Sequence, residues 1–345
     1  MKTLVVIGLS LVFVQALGQE LLAQDLKVLV SPHFGASAVN NSGHLGGIYT
    51  EGVDTGAIYR NGNLHILSNP TGFNFRSVGF SDSGVLPGYL TVPGGDFAGA
   101  YYDRDGVFHH MPLLNGGTFA LPQAVASDGT IVGWADSDVG LQMFSLRHGA
   151  ISGIGVLSDE VILEATSTNR HGQVVGTVYR RGGHGEYMGS FYYDAVGGFV
   201  RPRNRRYSTV SEDRQIGGTF SVGDGVWHGM RIEPDGTEIS YGRAFVPSSI
   251  NVHGDMSGAY EGVVPRLWRN GVIENVNDLV GGDWTIERVS GFTNSGQTLS
   301  PAFRDNGSYR TQLLLTPVPE PSAFVAFGLG VAALTWKRKG KMVSR

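Results

Sequence analysis

The sequence predicts an all-β fold, a seven-bladed β-propeller, from three observations. A unit of about 42 residues recurs seven times along the body of the chain. Each unit offers about four short strands, the content of one propeller blade. Glycine supplies 52 of 345 residues, about twice its usual share and without a collagen-like period, so turns must be frequent.

The repeat is anchored on a turn. A small and an apolar residue precede a short polar turn, which is followed by glycine-x-apolar-x-glycine. The leading glycines are Gly43, Gly84, Gly129, Gly172, Gly254 and Gly296, with Arg214 in the equivalent place of the fifth copy. Their spacings are 41, 45, 43, 42, 40 and 42. Four positions later stand Gly47, Gly88, Gly133, Gly176, Gly218, Gly258 and Ser300. The first glycine is expected at positive φ, where a Cβ would clash. The second falls inside a strand, where glycine normally weakens the sheet, so its recurrence points to a crowded spot among converging inner strands.

A second half-motif follows each anchor: an apolar or aromatic run closed by a turn glycine, as in AIYRNG (57–62), YYDRDG (101–106) and LWRNG (267–271). Asn-Gly and Asp-Gly mark hairpins, and another short strand comes after each. The seventh copy lacks that last strand, because the chain makes only TQLLLT (311–316) before its tail. At the other end, LKVLVS (26–31) is an unassigned strand of the right length. Pairing the two would remove two raw sheet edges, so Leu29 is expected in the same sheet as Leu314.

Composition narrows the function classes. The chain has no cysteine, so its body must be held by its core, and its size makes that feasible. Residues 19–316 carry 20 basic and 29 acidic side chains, a net charge of −9. A nucleic-acid partner is excluded, since binding phosphates needs concentrated Lys and Arg.

Both ends are hydrophobic. Residues 1–18 combine Lys2, an apolar run from Leu4 to Val14 and the small residues Ala16 and Gly18, the layout of a secretory signal peptide cleaved near Gly18. At the C-terminus, Val318-Pro-Glu-Pro-Ser322 precedes fourteen uncharged residues, Ala323 to Trp336, and then Lys337, Arg338, Lys339, Lys341 and Arg345. As a helix the apolar stretch spans about 21 to 24 Å, short of the roughly 30 Å hydrocarbon core. The basic cluster stays cytoplasmic by the positive-inside rule, which exports everything before it and agrees with the leader.

This order of VPEPS, short apolar helix and basic cluster resembles the PEP-CTERM sorting domain. The resemblance implies recognition by a membrane exosortase, cleavage near the PEP triplet and delivery to the surface or exopolysaccharide matrix of a Gram-negative cell. On that reading Pro319, Glu320 and Pro321 are recognition residues, and the helix holds the chain in the membrane until it is cut. An uncut membrane anchor is the alternative. The phrases N-x-x-G-x-V-x-G in the body resemble the HAF extracellular repeat: Asn40, Asn169 and Asn251 fit its Asn position, whereas Ser81, Ala126, Ser211 and Thr293 do not. That resemblance implies export and propeller-like architecture, with no activity. The expected organisation is a signal peptide at 1–18, a propeller at 25–316 and a sorting tail at 317–345.

The motifs of chemistry are missing. There is no H-E-x-x-H, no H-x-H and no G-x-S-x-G, so no catalytic residue, metal site or cofactor is expected. His44, His171 and His253 lie beside the repeated turn and read as surface histidines, and His109-His110 occupy an outer strand, facing opposite sides. Asp103-Arg104-Asp105-Gly106 reads as a hairpin turn rather than a calcium loop. Glu160, Glu164, Asp136 and Asp138 are candidates for carboxylates converging over the propeller axis. The one concentration of positive charge in the body is Arg201, Arg203, Arg205 and Arg206, with Arg180, Arg181 and Tyr207 nearby. Four arginines in six residues suit an anionic polysaccharide, through bidentate contacts to carboxylate or sulfate; a solvated inter-blade loop is the alternative reading. A non-catalytic adhesion or matrix-binding propeller leads; a structural envelope protein without a ligand and a propeller enzyme acting on polysaccharide are the alternatives.

Overall fold

A computed structural model describes residues 21–155, 161–181, 186–223, 226–243, 245–260 and 264–318. The leader 1–18 and the residues Pro319, Glu320 and Pro321 lie outside them. Seven four-stranded antiparallel sheets form seven blades, as the repeat predicts. Six are built from consecutive strands; blade one, for example, runs Phe34–Val39, Leu45–Tyr49, Thr55–Arg60 and Asn63–Ile66. The first strands converge, and residues on or just after them from all seven blades line one central channel of about 330 Å³. Antiparallel order puts the turns between first and second strands, and between third and fourth, on one face, the turn face. All other connections lie on the opposite face, the loop face.

The two glycine columns act differently. At the anchor, Gly43 has φ +74° and Gly129 φ +89°, and Arg214 itself adopts φ +68° in the fifth copy. The second column faces a bulge in the first strand, which drives a carbonyl toward the second. A Cβ on Gly133 would sit 2.0 Å from the Leu121 carbonyl oxygen, and one on Gly47 2.1 Å from that of Gly35. The crowding expected there is therefore between backbones. The hairpins also follow their dipeptides: Asn61-Gly62 and Asn270-Gly271 have positive φ at both residues, the type I′ signature.

Cores lie between blades rather than inside one. Ala124, Val132 and Met143 of blade three pack with Val161, Leu163, Val174 and Phe191 of blade four. Polar belts on the turn face add to this. Asn40, Asn169 and Asn251 are buried; each accepts backbone N–H groups of its own turn through Oδ1 and donates Nδ2 to the next blade, at Ser81, Ser211 and Thr293 respectively. Those three hydroxyl residues staple only their own turns, through Val85, Gln215 and Gln297 N–H. A second belt runs one residue on: Val252 N–H donates to Asn294, Asn294 N–H to Asn41, and Asn41 N–H to Asp82.

The ring closes through a different segment from the one expected. Blade seven takes Thr285–Ile286, Thr298–Arg304 and Tyr309–Pro317 from the C-terminal side, and its fourth strand is Leu21–Asp25. The register runs from Leu21 opposite Pro317 to Asp25 opposite Leu313, so Gln24, not Leu29, faces Leu314. Asp25 ends the ladder, accepting from Tyr309 OH at 2.8 Å and Thr311 Oγ1 at 2.6 Å. The chain then makes a single helical turn, Leu26–Leu29, which buries Leu26 against Phe34, Leu45 and Leu314. A short apolar run such as LKVLV serves either state, which is why alternation alone reads it as a strand. Because Leu21 pairs with Pro317, the first residue of the closing strand and the last residue of its partner lie side by side on the turn face.

Candidate functional site

The four arginines gather on the loop face between blades four and five. Blade four contributes the third strand Tyr187–Asp194, whose first residue is Tyr187; blade five contributes Arg205–Val210 and Trp227–Ile232. Arg201 to Asn204 connect the two blades. With Tyr187 and Trp227 these residues line a cavity of about 630 Å³. Among the described residues no carboxylate lines it.

The arginines play unequal parts. Arg201 is turned back onto the Met188 carbonyl, and Arg205 Nη2 is paired with Glu238 Oε1 at 2.5 Å. Arg203 is exposed and has no partner among the described residues. The Arg206 guanidinium lies between two rings, 3.9 Å from the Trp227 centroid and 4.9 Å from that of Tyr187. Each such contact contributes about 0.5–1 kcal/mol at an exposed site, which orients the group without using its N–H donors. Burial pushes the Tyr187 phenol above its usual value against the pull of Arg206, so it remains a neutral donor at neutral pH. Arg180, by contrast, is occupied by Glu186 at 2.8 Å.

Tyr187 and Trp227 are absent from the local charge run. They come 15 residues after Gly172 and 13 after Arg214, where the third strand of a blade begins. That offset, once the repeats are aligned, is the signal that could have found them.

The other candidates are not brought together. Asp136 accepts from the backbone N–H groups of Thr118 and Phe119 and from Thr118 Oγ1, and Asp138 from Asn115. Glu164 lies on the first strand of blade four, where burial raises its carboxyl above the usual range; Glu160 lies outside the described residues. His109 pairs with Asp103 at 2.8 Å and stacks on Tyr101, and Asp103 also caps its own hairpin through Val107 N–H. His171 contacts Arg214 and the Glu212 carbonyl. Among the described residues no group of three His, Asp or Glu side chains could hold a metal ion.

The fold has relatives among solved structures. The β-propeller domain of the Trilobed protease from Pyrococcus furiosus superposes with a TM-score of 0.52 at 11% identity, covering 82% of this chain and 95% of that one. That domain has an open velcro topology, whereas here Leu21–Asp25 closes the last blade. Virginiamycin B lyase from Staphylococcus aureus gives a TM-score of 0.48 at 12% identity, covering 87% and 100%. No curated protein sequence matches the chain. Residues 317–339 match the PEP-CTERM protein-sorting motif, so the chain carries a sorting signal that implies export and recognition by an exosortase-type processing enzyme.

Proposed function

We propose that this chain is an exported, non-catalytic binding propeller, sorted to the cell surface or the extracellular matrix, where it holds an anionic polysaccharide. The observation that carries this reading is the groove between blades four and five: four arginines, two flanking aromatic rings and, among the described residues, no carboxylate in its lining, on a body of net charge −9. On a body that as a whole repels anions, a local concentration of positive charge favours a ligand of opposite sign at this place. The groove opens on the loop face, and the sorting tail is attached on the turn face at Pro317, so the attachment point is away from the groove. The leader at 1–18 and the PEP triplet supply the address in this scheme.

The test is retention of the full chain on beads carrying an acidic polysaccharide. The double substitution Arg203→Ala and Arg206→Ala should cut retention at least tenfold, and added salt should weaken the unsubstituted chain's binding. Retention that survives the double substitution unchanged would remove the groove from the function.

A further inference from the structure

The basic groove does not end at Arg206. A second cavity, of about 450 Å³, adjoins it and shares Tyr187, Arg206 and Trp227 with it. Its walls have a different chemistry. Val226, Val246, Tyr207, Thr166, Thr177 and Thr219 line it, residues with apolar, aromatic or hydroxyl side chains. Apart from the shared Arg206, no charged residue among those described lines it. It runs inward to first-strand residues of blades four, five and six, where Thr166, Ser208 and Val246 stand.

Arg206 is therefore a divider. Held between Trp227 and Tyr187, it has charged neighbours on its outer side and hydroxyl and apolar neighbours on its inner side. The hydroxyls on the inner walls are already used in part: Thr166 Oγ1 donates to the Ser208 carbonyl at 2.9 Å, and Ser208 Oγ to that of Pro247 at 2.6 Å. Val246 is 41% exposed, a large apolar residue presented to solvent.

The geometry points to two adjoining subsites: an outer one for an acidic sugar, whose carboxylate meets the free donors of Arg206 and Arg203, and an inner one for an uncharged group with apolar surface. An acetyl ester on the glycan, or a deoxy-sugar methyl, fits that description. We commit to the first, an O-acetylated acidic glycan. An ester carbonyl can take a hydroxyl donor while its methyl covers Val246, and an apolar wall gains from burying a methyl where a bare hydroxyl would lose water. This inference rests on the proposed polysaccharide reading of the same groove.

The experiment is calorimetric titration of the full chain in detergent with uronate oligomers of one length, O-acetylated and chemically deacetylated. Acetylated oligomers should bind at least fivefold tighter. Val246→Asn should abolish that preference, bringing the affinities for the two oligomers within twofold of each other. Arg206→Ala should weaken both oligomers about tenfold, with the circular dichroism spectrum unchanged. If both oligomers bind equally and Arg206→Ala still weakens both, the inner subsite is wrong and the polysaccharide reading stands. If neither binds, or Arg206→Ala has no effect, the polysaccharide reading itself fails. An acidic peptide of equal charge binding as tightly as the acetylated oligomer would overturn the glycan assignment.

Discussion

Truncating Leu21 and Leu29 in turn distinguishes the two ways of closing the ring. Leu21 is 4% exposed and packs against Leu267, Val280, Leu313 and Leu315, whereas Leu29 is 40% exposed on the one-turn helix. Removing a buried leucine to alanine costs about 2–5 kcal/mol, the transfer of its methyl groups plus the cavity left behind. Leu21 opens the closing strand, so its surroundings relax more than a central site would, and the lower end applies: about 2–3 kcal/mol for Leu21→Ala. Leu29→Ala trims a side chain that is already 40% exposed and leaves no closed cavity, so it should cost under about 1 kcal/mol.

Urea unfolding of the purified full chain reads the difference. With a slope of about 3 kcal/mol/M, Leu21→Ala should lower the midpoint by about 0.7–1 M and Leu29→Ala by under about 0.3 M, both at unchanged slope. A fragment that starts at residue 25 loses all but the last residue of this strand and should unfold earlier still. If Leu29→Ala shifts the midpoint as far as Leu21→Ala, the strand at 21–25 is not what closes the ring.

Three further substitutions probe the repeat. Arg214 holds a left-handed φ that its six equivalents fill with glycine, so Arg214→Gly should stabilise the protein by about 1 kcal/mol and raise the Tm by about 2 °C in a calorimetric scan. Gly133→Ala places a Cβ against a backbone carbonyl and should cost about 1–3 kcal/mol by urea midpoint; Gly62→Ala, with open space around it, should cost only the roughly 1 kcal/mol of its positive φ. Burial works against ionising Asp136, but hydrogen bonds from Thr118 and Phe119 outweigh it and hold its carboxyl below the ordinary range. Its stabilisation is therefore full above the unfolded value near 3.9 and is lost as pH falls through the lower folded value. Asp136→Asn should lower stability at pH 7 and flatten that part of the acid limb in a pH series of melting temperatures.

What the sequence made legible was what repeats. Seven anchors at near-constant spacing revealed seven blades, and a glycine facing a carbonyl in six of them left a column visible without any structure. Single-copy features were harder to read. The strand Leu21–Asp25 has no alternation and abuts the apolar leader, while LKVLVS beside it has the better pattern and folds as a helical turn. The arginine run was visible because four charges are adjacent in sequence, but its aromatic flanks are 19 and 21 residues from Arg206 and meet it only through the blade register. Asn40, Asn169 and Asn251 were visible as a motif position. Their work, bridging each to a Ser or Thr blade, depends on which blade follows.

Closure and sorting are linked by position. The pair Leu21 and Pro317 spans 296 residues, so the ring cannot close until the last strand, Tyr309–Pro317, stands beside the first. A contact of that sequence separation forms late in folding, because its loop-closure entropy comes before its reward. The PEP triplet begins at Pro319, two residues beyond the last paired residue, so a cut at or after it leaves every rung of the closing ladder in place. The same ladder ends at Asp25 with two side-chain hydrogen bonds, far from the cut. A chain cut there would keep both strands of its closing pair, Tyr309–Pro317 and Leu21–Asp25.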